Sequence, residues 1–97
     1  MIINLLHSQD RNIVVIIDAD LIGKKFVEKN RQLDLSADFY KGEEKIEDEI
    51  KRIGRSAYIL HIVGKESVAF ATKQKWIDES SVITIKNVPH AEVILNP

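Results

Sequence analysis

The run Ala57–Val63 (AYILHIV) decides the fold, because it is the most apolar segment in the second half of the chain. Only His61 interrupts it, and a short apolar run rich in isoleucine and valine predicts a buried central strand. Gly64 follows directly, and a glycine at that place predicts a tight turn. Lys65–Trp76 then carries apolar side chains on part of its surface, which predicts a helix.

Two further apolar runs, Ile2–His7 and Ile13–Ile17, stand at the start of the chain on either side of a polar cluster of turn-forming residues. This pattern predicts a β-hairpin. Phe26–Val27 and Leu33–Leu35 flank a second polar joint and predict two more short strands.

The middle of the chain changes to a helical pattern. Ser36 is predicted to cap a short helical turn that ends at Gly42. From Glu43 to Gly54, Ile46, Ile50 and Ile53 recur at helical spacing and predict an amphipathic helix.

The end of the chain predicts a final pair of strands, at Val82–Ile85 and Ala91–Leu95, joined by the loop Lys86–His90. Taken together, the elements predict one small α+β domain over residues 1–97, with a mostly antiparallel sheet and two helices.

Composition excludes several classes of protein. The chain of 97 residues has 14 basic and 15 acidic side chains, and this balance argues against binding nucleic acid by bulk charge. It has no cysteine, which excludes disulfides and thiolate metal sites. The apolar N-terminus lacks the features of a secretion signal, and no stretch is apolar enough to cross a bilayer. We therefore expect a cytoplasmic protein with no membrane contact.

Two clusters have alternative interpretations. Asp18 and Asp20 follow a strand and either cap a helical turn or bind a cation, and capping is favoured because no other acidic residue lies near. Gly64–Lys65 lies where a strand meets a helix, a place that attracts phosphate. It is not a P-loop, since Ile59 and Glu66 stand where that motif requires glycine and a hydroxyl residue. An ordinary turn is favoured there too.

The histidines form no recognisable nucleophile–base pair, and no cofactor or metal motif is present. We therefore expect a non-enzymatic protein without a cofactor, a catalytic residue or a metal site. His61 is expected to be a core residue with one hydrogen bond. His90 follows Pro89, and two interpretations apply: the proline forms a rigid turn that presents the imidazole, or the histidine simply ends a loop, which is favoured. Whether His61 and His90 form a site stays open.

Four ordered segments carry a family resemblance: Leu21–Phe26 (LIGKKF), Asp38–Glu43 (DFYKGE), Ile62–Lys65 (IVGK) and Val88–Ala91 (VPHA). Their order and spacing resemble the small archaeal proteins of domain-of-unknown-function family 424, over nearly the whole chain. An asparagine is usual in that family where this chain has His61. The resemblance implies an archaeal α+β protein and a loose association with translation.

Two hypotheses about function follow. The first is a non-enzymatic accessory protein of archaeal translation that binds RNA or a ribonucleoprotein such as a ribosomal subunit. Its binding residues would be Lys24, Lys25, Tyr40, Lys41, Lys65 and His90, and its structural turns Gly23, Gly42, Gly64 and Pro89. The second is a protein–protein or self-association module, such as a homodimer. It would pair through an exposed edge strand, either Ile2–His7 or Ala91–Leu95.

Overall fold

The computed structural model describes residues 1–97 and has a six-stranded sheet at its centre. The strands of this sheet are β1 (Ile2–Ser8), β2 (Arg11–Ile17), β5 (Glu43–Glu44), β6 (Ile59–Val63), β7 (Ile83–Ile85) and β8 (Val88–Ile94). A separate hairpin contains β3 (Lys25–Glu28) and β4 (Arg31–Asp34), and the two helices are α1 (Glu47–Gly54) and α2 (Lys65–Lys73). The predicted α+β class with two helices is confirmed.

The order of strands in the sheet is β5-β1-β2-β6-β8-β7. Only β2 and β6 are parallel, and every other neighbouring pair is antiparallel, so the sheet is mostly antiparallel as predicted. The β1–β2 hairpin closes through Gln9 and Asp10, both with positive φ. The β7–β8 hairpin closes in the same way through Lys86 and Asn87. Two successive residues with positive φ match the right-handed twist of the flanking strands.

Each face of the sheet has its own apolar core, because side chains alternate between the faces of a strand. On one face Val14, Ile16, Leu60 and Ile62 pack with residues of both helices, such as Ile50 and Phe70. On the other face Ile17, Val63, Ile85 and Val88 pack with Leu33 and Leu35 of the β3–β4 hairpin. The helices and the small hairpin therefore lie on opposite sides of the sheet.

The prediction for the start of the first helix is wrong. Glu43 and Glu44 pair with the first residues of β1 as a short strand, so the helix begins only at Glu47. Ile46 precedes the helix and is 66% exposed, and it does not belong to the buried stripe.

Ser36 does not cap the short 3-10 turn Asp38–Tyr40. Its N–H and its hydroxyl instead donate to the Asp34 carboxylate, at 3.0 and 2.6 Å. The hydrogen bond from the hydroxyl, and to a smaller extent the one from the N–H, lowers the pKa of Asp34 below its usual value.

The predicted loop before the last strand is also too long. Only Lys86 and Asn87 form the turn, and Pro89 and His90 lie within β8. Proline is tolerated there because β6 ends at Val63, one residue before the position opposite Pro89. The residue at that position, Gly64, already accepts a hydrogen bond from the Val68 N–H with its carbonyl. No ladder hydrogen bond needs the missing N–H of Pro89.

Strand β8 lies between β6 and β7, but β7 pairs only with Val88–His90, so Ala91–Ile94 has β6 on one side and no strand on the other. Both predicted edge strands are thus partly uncovered, β1 beyond its pairing with β5 and β8 beyond its pairing with β7. No helix is long and apolar enough to span a membrane.

Candidate functional site

A chain of polar side chains crosses the sheet face that the helices leave free. The Tyr40 hydroxyl lies 3.2 Å from Nε2 of His61, and Nδ1 of His61 lies 3.0 Å from a carboxylate oxygen of Glu92. The Phe39 ring stands edge-on to both Tyr40 and His61, with centroids 5.2 and 5.6 Å away. We call Phe39, Tyr40, His61, His90 and Glu92 the histidine cluster.

Sheet register brings the polar members of the cluster together. His61 on β6 lies directly opposite Glu92 on β8 in the antiparallel pair. His90 precedes Glu92 by two residues, so its side chain points to the same face. The cluster therefore depends on the pairing of two strands that are distant in sequence.

The aromatic members arrive from the 3-10 turn Asp38–Tyr40, which lies on the same face. The side-chain amide of Asn4 on β1 donates to the Phe39 carbonyl at 3.1 Å and holds this turn against the sheet. The chain then passes the edge of β1 at Gly42, where a Cβ atom would overlap the Ile3 carbonyl. A glycine is required there by the close approach of the two backbones.

The hydrogen bonds define the tautomer of His61. A carboxylate can only accept, so Nδ1 of His61 donates to Glu92. Nε2 is then free to accept from the Tyr40 hydroxyl. Burial lowers the pKa of His61 below its ordinary value, although the hydrogen bond and charge of Glu92 act in the opposite direction.

His90 is half-buried beside this chain of hydrogen bonds. Burial lowers its pKa, and the charge of a protonated His61 lowers it further. Its Nδ1 atom is buried without a full hydrogen bond, although the Val88 backbone is near enough to favour the protonated ring. Both imidazoles are therefore neutral at neutral pH.

Tyr40 keeps its proton in this setting. Burial raises the pKa of its hydroxyl, and the negative charges of Glu92 and Asp34 raise it further. A carboxylate, an imidazole and a hydroxyl in this order resemble a hydrolytic triad. A raised pKa opposes formation of the phenolate nucleophile that such chemistry would require. The cluster is better suited to aromatic stacking and to neutral hydrogen bonds.

The structure gathers only some of the residues proposed for binding. Tyr40 and His90 meet in the histidine cluster, and Lys24 and Lys25 begin the β3–β4 hairpin that packs on the same face. Lys41 lies apart, in a groove beside β1, where it pairs with Asp38 at 3.0 Å. Lys65 lies with Lys86 around a cavity of 580 Å³ at the start of α2.

The alternatives for Asp18 are resolved by its hydrogen bonds. The carboxylate is 8% exposed and accepts from the N–H groups of Glu66 and Ser67, at 3.1 and 2.8 Å, and from the Ser67 hydroxyl at 2.6 Å. Asp18 therefore caps helix α2, which is distant along the chain. The sequence predicted that it caps the turn directly after it, but its side chain makes no such hydrogen bond. Asp20 is exposed.

The same contact explains the Gly64–Lys65 segment. Gly64 has a φ of 108°, and a Cβ atom there would overlap the Asp18 carboxyl group. The carboxylate occupies the helix N-terminus, where a bound phosphate would otherwise accept the free N–H groups. No group of three or more histidine, aspartate or glutamate side chains is arranged to hold a metal ion.

Sequence reasoning missed Phe39, Glu92 and Arg31 as neighbours of the site. Arg31 on β4 is close enough for its charge to lower the pKa of His90. The spacing of His90 and Glu92 was a usable signal, since residues two apart in a strand share a face. Their relation to His61 needed the register of β6 and β8.

The architecture defines a small α+β protein with a mixed sheet, two helices on one face, and a histidine cluster beside a short hairpin on the other. The chain belongs to the family described as "Protein of unknown function (DUF424)", whose model matches residues 6–95. The predicted family is thus confirmed.

A solved structure has a similar fold. It is the crystal structure of an uncharacterized conserved protein from Methanopyrus kandleri, with a TM-score of 0.78 and 19% sequence identity. The match covers 99% of this chain and 91% of that chain. No curated protein gives a significant match. At this identity the likeness establishes the fold.

Proposed function

We propose that this chain is a cytoplasmic, non-enzymatic accessory protein of archaeal translation that binds RNA or a ribonucleoprotein such as the ribosome. The observation that carries the proposal is the location of the histidine cluster next to the basic β3–β4 hairpin, on the sheet face opposite the acidic helix α1. Aromatic side chains on a sheet, with positive charges at their border, are typical of surfaces that bind unpaired nucleotides.

The chemistry of the cluster suits bases more than phosphates. Tyr40 and His90 offer partly exposed, uncharged aromatic rings at neutral pH, and His61, whose side chain is 12% exposed, holds Tyr40 and Glu92 beside them. Glu92 is 62% exposed and would repel a phosphate placed directly over it. We therefore expect bases to contact the cluster, while the phosphates lie outside it.

The hairpin supplies the charge that phosphates require. Lys24, Lys25, Lys29 and Arg31 are all exposed and lie on it or directly before it. The acidic side chains Glu47 and Asp48 start α1 on the other face of the sheet and do not oppose this charge. Glu28 and Asp34 are also exposed on the hairpin, which therefore carries four basic against two acidic side chains. A locally basic surface is compatible with a net charge of −1.

Co-sedimentation with ribosomal subunits from the native lysate tests this proposal. We expect the native chain to migrate with one subunit at low salt and to dissociate at high salt. The double variant Lys24→Glu with Lys25→Glu should lose co-migration. Lys73→Glu is the control for a charge reversal elsewhere, because Lys73 is also exposed but ends helix α2.

Two outcomes would contradict the proposal. One is that the native chain stays at the top of the gradient at both salt concentrations. The other is that Lys73→Glu abolishes co-migration as fully as the hairpin variant does, since charge alone would then explain binding.

A further inference from the structure

Strand β1 is covered along only part of its outer side. It spans Ile2–Ser8, but β5 pairs with Ile2 and Ile3 alone. From Leu5 onward no strand of the chain lies beside it on that side. The opposite border of the sheet is β7, which has three residues. It pairs only with Val88–His90 and leaves Ala91–Ile94 of β8 uncovered as well, but that stretch carries Glu92. The uncovered stretch without a charged side chain is therefore at β1.

The backbone groups on this edge are identified by their neighbours. The Met1 carbonyl accepts from the Lys45 N–H at 3.5 Å, and the Ile3 carbonyl lies against Gly42. Since backbone groups alternate between the two sides of a strand, those of Leu5 and His7 also point outward. Both residues then lack a strand partner for their N–H and carbonyl groups.

The side chains of the uncovered part of β1 itself are uncharged and partly apolar. Asn4–Ser8 contains no lysine, arginine, aspartate or glutamate, and Leu5 is 44% exposed. A groove of 470 Å³ lies beside it, lined by the apolar side chains of Ile3, Leu5 and Ile53 and by the charged side chains of Lys41, Glu43 and Lys45. Exposed edge strands usually carry charges or proline that prevent pairing with another chain. The strand residues Asn4–Ser8 have neither.

We propose that β1 pairs with β1 of a second copy of this chain, antiparallel about a two-fold axis at Leu6. In this register Leu5 of each copy lies opposite His7 of the other. The outward N–H and carbonyl groups of these two residues then form four hydrogen bonds between the copies, and none is left unpaired. The two six-stranded sheets become one continuous sheet.

A second copy fits this edge better than an unrelated strand does. The two-fold axis places each outward N–H group of one copy opposite an outward carbonyl group of the other copy, as a self-complementary interface requires. It also brings Leu6 against Leu6 and covers Leu5, and no like charges meet between Asn4 and Ser8. Gly42 fills the outer side of β1 beside Asn4, so the incoming strand pairs from Leu5 onward.

Measurement of the mass in solution over a wide concentration range tests the dimer. We expect the native chain to shift from monomer to dimer as concentration rises. Leu5→Lys should weaken the dimer by at least about tenfold, because two ammonium groups enter the interface. Val27→Lys is the matched control, since Val27 is 49% exposed but lies on the β3–β4 hairpin. Circular dichroism checks that both variants fold.

A cross-linking experiment tests the register. Leu6→Cys introduces the sole thiol of a chain without cysteine. In the proposed register the two Cα atoms at position 6 form a non-hydrogen-bonded pair about 4.5 Å apart, which a disulfide can bridge. We expect rapid formation of a covalent dimer on mild oxidation, whereas Val27→Cys should form one slowly.

A native chain that stays monomeric at every concentration would overturn the inference. Equal loss of the dimer in Leu5→Lys and Val27→Lys would overturn it too, as would equal rates of cross-linking in the two cysteine variants.

Discussion

Asp18 and Ser67 are joined by two hydrogen bonds to one oxygen, although 49 positions separate them in the chain. The Ser67 N–H donates to Oδ1 of Asp18 at 2.8 Å, and its hydroxyl donates to the same atom at 2.6 Å. Both residues are buried. The contact attaches the start of α2 to the end of β2, and so connects the helix layer to the centre of the sheet.

Asp18→Ala should lower the free energy of unfolding by about 2–3 kcal/mol, since it leaves buried donors of Ser67 without a partner. Asp20→Ala is the control, because Asp20 is exposed, and its effect should stay within about 0.5 kcal/mol. Urea unfolding measures both. Equal effects of the two variants would show that the capping contact does not stabilise the fold.

Substitution of two glycines separates backbone strain from side-chain overlap. Gly23 has a φ of 84° and no atom near its missing Cβ, so Gly23→Ala should cost about 1 kcal/mol. Gly64→Ala adds an overlap with the Asp18 carboxyl group and should cost about 2–5 kcal/mol. Thermal unfolding compares them, and equal losses would argue against the close packing of Gly64 on Asp18.

Stability should fall as the pH decreases below neutrality. Burial lowers the pKa of both His61 and His90 in the folded chain, whereas an unfolded histidine has a pKa of about 6.5. At pH values between the lowered pKa values and about 6.5, the folded chain therefore binds fewer protons than the unfolded chain. The stabilisation is complete above about pH 6.5 and is lost as the pH falls through the lowered values.

The melting temperature between about pH 7.5 and about pH 5 measures this effect. The double variant His61→Asn with His90→Asn should show a smaller decrease in melting temperature over this range than the native chain. A decrease as large as that of the native chain would mean that these imidazoles do not cause it.

Tyr40→Phe should reduce stability by about 1 kcal/mol, because the half-buried Nε2 of His61 loses its hydrogen-bond partner. Tyr58→Phe is the control. The Tyr58 hydroxyl accepts an exposed hydrogen bond from Arg11 at 3.0 Å, and its loss should cost less than about 0.5 kcal/mol. Chemical denaturation distinguishes them, and a larger loss for Tyr58→Phe would contradict the role assigned to Tyr40.

Much of the fold could be predicted from local sequence patterns. The runs Ile2–His7, Ile13–Ile17 and Ala57–Val63 contain the central strands, because β-branched residues between polar turns are a local signal. The order of those strands is not local. Strand β8 is the last along the chain, but it pairs with β6 near the centre of the sheet and, through Val88–His90, with β7.

The candidate site was harder to predict, for the same reason. Tyr40 and His90 stood out separately, through an aromatic beside a lysine and a histidine after a proline. Their meeting at His61 depends on the register of β6 with β8 and on the turn that Asn4 holds against the sheet. Residues distant in sequence set both, so no local pattern contains them.

The most direct test of the account is NMR mapping of backbone amide shifts while isotope-labelled protein is titrated with a short single-stranded RNA. We predict that the largest shifts occur at Phe39, Tyr40, His61, His90 and Glu92, with smaller ones on the β3–β4 hairpin. Shifts confined to helices α1 and α2, or no shifts during the titration, would contradict the claim that this sheet face binds RNA.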